Sequence, residues 1–255
     1  MRLLAICLAV VNQKGGVGKS TTAVNLGACL GELGKQVLLV DIDPQGNASS
    51  GVGVQKNVAQ GCMYDVLIEG RAMEEVIIST AIAGLDVAPA TLELAGAEIE
   101  LVSAMSREYR LKGALEKIQD RYDYILIDAP PSLGLLTINA LSAATAALVP
   151  IQCEYYALEG VSQLMSTVKL VKDHLNRDLE IGGVLMTMYD ARTNLSQQVV
   201  EEVRRYFGEK VFQTIIPRNV RLSEAPSHGQ PITLYDQQCR GAQAYRELAR
   251  ELIGA

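Results

Sequence analysis

Apolar residues in this chain fall into short unbroken runs, over residues 3–11, 37–43, 85–89, 124–128, 147–151, 181–189 and 211–216. A run that is apolar at both alternating positions is buried on both faces, which marks a strand of a parallel sheet covered by helices. Longer mixed segments over residues 19–33, 92–105, 108–119, 135–143, 159–175, 194–207 and 241–253 read as helices. Gly34 is a natural stop for the first of them. Residues 132–145 are small and apolar and read as packing, not as a lipid-binding face. The alternation predicts an α/β fold, a doubly wound, mostly parallel sheet with helices on both faces. Eight prolines, no low-complexity stretch and no internal repeat leave no linker, so residues 1–255 read as one domain.

The first apolar run leads directly into Lys14-Gly15-Gly16-Val17-Gly18-Lys19-Ser20. This follows the phosphate-loop pattern G-x-x-x-x-G-K-[ST], except that Gln13 fills the first glycine slot and Lys14 follows it. Gly15, Gly16 and Gly18 let the backbone turn its N–H groups onto phosphate oxygens. Lys19 reaches the β- and γ-phosphates, and Ser20 offers a hydroxyl to magnesium. The helix from Lys19 aims its N-terminus at the same phosphates. The nucleotide-binding set is Lys14, Gly15, Gly16, Val17, Gly18, Lys19, Ser20 and Thr21.

Two later strands end in acids, at Asp41-Ile42-Asp43 and at Asp128. Ligands of an open parallel sheet sit at the carboxyl ends of its strands, so both acidic ends fall near the loop. Asp128 suits a magnesium role and Asp43 the orientation of an attacking water. Asp41 either holds the loop or holds a magnesium-bound water. For each of the three, a solvated strand-end aspartate is the plain alternative.

The chain resembles the ParA/MinD group of deviant P-loop ATPases, and most closely its Soj-type chromosome-partition members. The residues that carry the resemblance are Asn12 to Thr22, Asp41-Ile42-Asp43-Pro44-Gln45-Gly46-Asn47, Ile127-Asp128-Ala129-Pro130-Pro131, Tyr189 to Thr193 and Ile216 to Ser227. It runs over essentially the whole chain, with Ser20 where many relatives have threonine. The resemblance implies slow magnesium-dependent ATP hydrolysis, with Lys14, Lys19 and Asp43 as the catalytic set. It implies an ATP-dependent homodimer in which Lys14 reaches the partner's phosphates, and stimulation by a ParB-type centromere-binding protein. Adenine is expected against Pro217 and Asn219. Non-specific double-stranded DNA is expected on Arg192 and Arg221, with Arg218 and Arg205 beside them, and a cytoplasmic, nucleoid-associated location follows.

Composition limits these readings. The net charge of −6 argues against a polyanion binder on bulk charge. Residues 184–255 carry nine Lys/Arg and eight Asp/Glu, a net +1 against −7 for the rest, so DNA binding needs a local basic face doubled by the dimer. No aromatic interleaving suggests stacking on single strands. The scattered cysteines read as reduced thiols, and the two histidines are too isolated for a metal site. Arg2 and residues 3–11 mimic a signal peptide, but no cleavage site follows. No run approaches the ~20 apolar residues of a membrane span. The mixed-charge tail argues against a MinD-like membrane ATPase, and the absence of cysteine pairs against an iron–sulfur carrier. A regulatory ATPase acting on replication initiation or sporulation-type transcription is the competing reading. With no extension before the phosphate loop, the longer operon-repressing plasmid type is not expected.

Overall fold

Strands β1 (Ile6–Val10), β2 (Val37–Asp41), β3 (Ile78–Ser79), β4 (Leu85–Ala88), β5 (Tyr124–Asp128), β6 (Ala146–Gln152), β7 (Glu180–Tyr189) and β8 (Val211–Pro217) form one sheet. The computed structural model describes residues 5–55, 61–155, 157 and 160–254. The spatial order is β3-β4-β2-β5-β1-β6-β7-β8, and every neighbouring pair is parallel except β3 with β4. The helices are α1 (Lys19–Glu32), α2 (Asn47–Gly51), α3 (Met73–Val76), α4 (Leu94–Glu100), α5 (Arg110–Leu115), α6 (Leu135–Ala143), α7 (Val161–His174), α8 (Asn194–Phe207), α9 (Val220–Glu224), α10 (Ile232–Tyr235) and α11 (Arg240–Gly254).

The continuous apolar strands bury both faces. In β1, Cys7 and Ala9 join the core under α3 to α8, while Leu8 and Val10 join the core under α1, α2 and α9 to α11. Removing so much apolar surface from water is what holds the two helical layers on the sheet. The helices therefore cover both faces, as the alternating pattern predicts.

Several boundaries differ. Residues 3 and 4 of the first predicted strand, and residue 159 of the predicted helix 159–175, lie outside the described residues. The predicted helix 92–105 is α-helical only over 94–100 and tightens to a 3₁₀ turn over 101–103. The predicted helix 108–119 is regular only in α5, with 3₁₀ turns at 107–109 and 119–121. The predicted strand 37–43 ends at Asp41, so Asp43 lies in the turn beyond it. β3, α2, α3, α9 and α10 have no counterpart in the sequence reading, because elements of two to five residues leave too short a pattern to read.

Parallel pairing positions the site. Asp128 stands opposite Val10 on one side and opposite Asp41 on the other. One carboxylate is thereby fixed beneath the loop that leaves β1, and a second sits beside it.

Candidate active site

The loop between β1 and α1 is braced at both ends. The Asn12 Nδ2 donates to the Pro150 carbonyl at 2.7 Å, and its Oδ1 accepts from the Lys14 N–H at 3.0 Å. The Thr187 hydroxyl donates to the Val17 carbonyl at 2.8 Å. Gly18 takes a left-handed φ of 91° just before α1 begins, a conformation that disfavours a side chain. The Lys19 ammonium is buried and donates to the Lys14 carbonyl at 3.3 Å. The loop thus curls around its own lysine and leaves the N–H groups of the first turn of α1 open to an anion.

Lys14 differs from Lys19. It is exposed and takes part in no ion pair among the described residues. Among the described residues, a Cβ placed on the neighbouring Gly15 would meet nothing within 4 Å. The front of the loop is open.

The three acids separate by environment. Asp41 is fully buried, and its Oδ2 accepts from the Ser49 N–H at 2.8 Å and the Ser49 hydroxyl at 2.7 Å. Its Oδ1 accepts from the Asp43 N–H at 3.1 Å. Of the two roles open to Asp41 in the sequence, these bonds favour holding the loop to α2. Asp43 accepts from the Gln45 N–H at 2.9 Å and lines a cleft of about 600 Å³ together with Gly16, Lys19 and Ser20. Asp128 is fully buried, and neither oxygen makes a well-formed hydrogen bond among the described residues. Burial and the neighbouring Asp41 push its pKa well above the usual carboxylate range, while the nearby Ser20 hydroxyl and Lys19 ammonium pull it down. Burial lowers the affinity of Lys19 for its proton, against the pull of Asp128 and Asp43. A buried carboxylate left without partners costs stability. An ion and phosphates seated above it would relieve that cost.

Burial also raises Asp41 to about 6, in opposition to its bonds from Ser49 and Asp43. The raised value means that this group's contribution to stability is fully present below about pH 4 and is lost as pH rises through about 6. Urea denaturation of the nucleotide-free protein should show wild type losing on the order of 2 kcal/mol relative to Asp41→Asn between pH 4 and pH 7. A difference that does not move with pH would remove the assignment.

A second hollow of about 450 Å³ adjoins the first, with Gly18, Thr21 and Met188 lining both. Pro217 and Asn219 line it. The Asn219 Oδ1 caps α9 by accepting from the Arg221 N–H at 2.9 Å, which leaves its Nδ2 as the group able to donate to a base.

Three of the four arginines are held by carboxylates. Arg192 is held by both Asp190 oxygens at 2.9 and 2.6 Å, and Arg218 reaches Glu154 at 3.0 Å. Their backbones lie close, since the Arg218 N–H donates to the Tyr189 carbonyl. Arg221 pairs with Glu224 at 2.9 Å and Asp236 at 3.4 Å. Arg205 lies in the last turn of α8, roughly 17 Å along the helix from its start beside Arg192.

Residues outside the predicted set also shape the cleft. Gln45, Asn47, Pro226 and Gln230 line it. Met188 has a φ of 53°, a conformation that a methionine rarely adopts and that marks strain beside the loop. Tyr245 ties α11 to α1 through Thr22 at 3.3 Å. Asp43-Pro44-Gln45-Gly46-Asn47 and the end of the segment Ile216 to Ser227 were the sequence signals pointing to this rim; nothing local marked Met188 or Gln230.

The family model described as an AAA domain matches residues 5–181. The chain is 63% identical over 245 residues to the sporulation initiation inhibitor protein Soj of Bacillus subtilis (strain 168), covering 96% of this chain and 97% of that one. It is 55% identical over 248 residues to the chromosome partitioning protein ParA of Myxococcus xanthus (strain DK1622), covering 97% and 87%. Among solved structures, it matches a cobyrinic acid a,c-diamide synthase from Mycobacterium smegmatis with bound ATP analogue and magnesium. That match has a TM-score of 0.87 and 39% identity, covering 98% of this chain and 95% of the other. The higher identities belong to these Soj and ParA proteins. Among the described residues, no helix is long and apolar enough to cross a membrane.

Proposed function

The chain belongs to the Soj/ParA chromosome-partitioning ATPases, and on that premise we propose that it is an ATP-driven switch that binds DNA as a dimer. The phosphate loop takes the triphosphate of ATP. Ser20 and Asp128 hold magnesium, which supplies positive charge to the transferring phosphoryl group. The buried, unsatisfied carboxylate of Asp128 is the observation that fits a cation there. Lys19 faces the β- and γ-phosphates, and Asp43 orients the attacking water. Turnover is slow without a partner. A ParB-type centromere-binding protein raises it, as an outside cation can in phosphoryl transfer. The protein is cytoplasmic and associates with the nucleoid.

The exposed Lys14 beside an open Gly15 is the observation that carries the switch. Among the described residues, the Lys14 ammonium donates to nothing, and no atom within 4 Å would oppose a Cβ at Gly15. A defect in a Gly15 variant therefore arises from what approaches the loop, either the nucleotide or a second protomer whose phosphates Lys14 reaches.

Light scattering with ATP tests this reading, in an Asp43→Ala background that keeps ATP intact. The mass should be twice that of the monomer, and should stay monomeric with Lys14→Ala or Gly15→Val added. Both variants should still bind ATP. A Lys14→Ala protein that dimerises normally refutes the cross-site role.

A further inference from the structure

Glu98 stands at an apolar position of α4. The helix packs into the core through Leu94, Ala97 and Leu101. Position 98 follows Leu94 by four residues and precedes Leu101 by three, which places it on the same face. Glu98 forms no salt bridge among the described residues. Its Oε1 is buried and has no hydrogen-bond partner among them. A carboxylate oxygen so placed lowers stability unless a donor reaches it.

This carboxylate faces the start of α6. Gly134, the residue before that helix, has a φ of −77° and a ψ of −171°, extended backbone that any residue adopts. The turn therefore does not require glycine. Space does, because an added Cβ would collide with the Glu98 Oε1.

The start of α6 lacks what Glu98 offers. The N–H groups of a first helical turn have no acceptor within the helix. Gly134 has no side chain to cap them, and no acid stands in the first turn. A helix N-terminus also favours negative charge. Glu98 brings from α4 the carboxylate that α6 does not carry.

The loop that ends at Gly134 borders the nucleotide cleft. It begins after Asp128, and its Pro131 lines the cleft together with Lys19, Ser20 and Asp43. One end is tied to β1, where the Ala129 N–H donates to the Val10 carbonyl at 3.4 Å. The other is tied to α6, where the Thr137 hydroxyl donates to the Ser132 carbonyl at 2.7 Å. The first turn of α6 thus carries the loop with it. Glu98 itself does not line the cleft.

We propose that Glu98 is a positioning residue for ATP hydrolysis, its carboxylate accepting from the first turn of α6 and so fixing the loop 129–134 beside the nucleotide. An oxygen without a donor and a helix end without an acceptor satisfy each other when the loop is seated. Glu98 acts through the loop, so its effect falls on turnover and not on ATP affinity. The proposal rests on hydrolysis at the phosphate loop.

Phosphate release at saturating magnesium–ATP, beside calorimetric titration with ATP, tests this on the full chain. Glu98→Ala should lower kcat about 10- to 100-fold, the scale of a small misplacement near the reacting groups, and leave ATP affinity unchanged. Glu98→Gln keeps an acceptor oxygen at the same reach and should retain most of the turnover. Gly134→Ala should push the carboxylate aside and reproduce the loss. Gly134→Ala added to Glu98→Ala should cause no further loss, because the new Cβ no longer meets the carboxylate. Thermal unfolding of each variant should fall by about 2–4 °C, as for one lost cap in a domain of this size. Lower thermal stability with kcat unchanged would reduce Glu98 to a structural role and overturn the proposal. So would losses that add in the double variant, or ATP affinity that falls in step with kcat. A wild type that binds ATP without turnover would sink the switch reading and this one with it, a result seen before any variant is made.

Discussion

Asp43→Ala should bind magnesium–ATP with near wild-type affinity and lose turnover by about 10²- to 10⁴-fold, the range for removing a positioned proton acceptor. The turn that carries Asp43 explains why binding survives. That turn is closed by the backbone, with the Gly46 N–H donating to the Asp43 carbonyl at 2.9 Å, so it does not depend on the carboxylate alone. Neighbouring Asp41 cannot take over, because both of its oxygens are already engaged by Ser49 and by the Asp43 N–H. The same bonds predict the opposite failure for Asp41→Ala, which frees the start of α2 and lowers stability. Calorimetric titration with ATP beside a phosphate-release assay separates the two. An Asp43→Ala protein that hydrolyses at the wild-type rate would show that Asp43 does not orient the water.

The distinction between the two aspartates was not available from the chain. Both stand in one short acidic motif, and the sequence left Asp41 open between the loop and the metal. Burial and the two bonds from Ser49 favour the loop, and Ser49 lies on a five-residue helix with no readable pattern. What was legible had strong local causes. The double-sided apolar runs revealed the parallel sheet, and Gly18, Lys19 and Ser20 marked the phosphate loop because few residue types allow that turn and that chemistry. Met188 and Gln230 were illegible for the converse reason. They reach the cleft through the packing of β7, β8 and the short helices after them, so no spacing in the sequence records their approach. Among the arginines, type and number were visible, but the carboxylates that hold them were not.

Those carboxylates change what is expected of the proposed DNA face. Arg192, Arg218 and Arg221 share it with Asp190, Glu154, Glu224 and Asp236, so a lone protomer offers little net positive charge there. Exposed ion pairs are weak and easily exchanged, so phosphates can replace the carboxylates once two faces act together. Arg192→Glu should abolish retention on duplex DNA while leaving ATP binding and dimer mass intact. Asp190→Asn should act in the opposite direction and tighten retention, because it removes the charge opposite Arg192 and one of the two oxygens that accept from its guanidinium. In a two-fold dimer, Arg221→Ala removes two phosphate contacts and should flatten the plot of log affinity against log salt by about 1.8. Arg205→Ala should change it least, since that residue stands at the far end of α8. DNA co-sedimentation with ATP, ADP and no nucleotide, on two unrelated duplexes and across a salt series, measures all of these. Tight binding in ADP, a strong preference for one duplex, or an Asp190→Asn protein that binds more weakly than wild type would each overturn the assignment. The first would mean that dimer formation does not gate contact with DNA, the second that bases rather than phosphates are read, and the third that Asp190 builds the face instead of masking it.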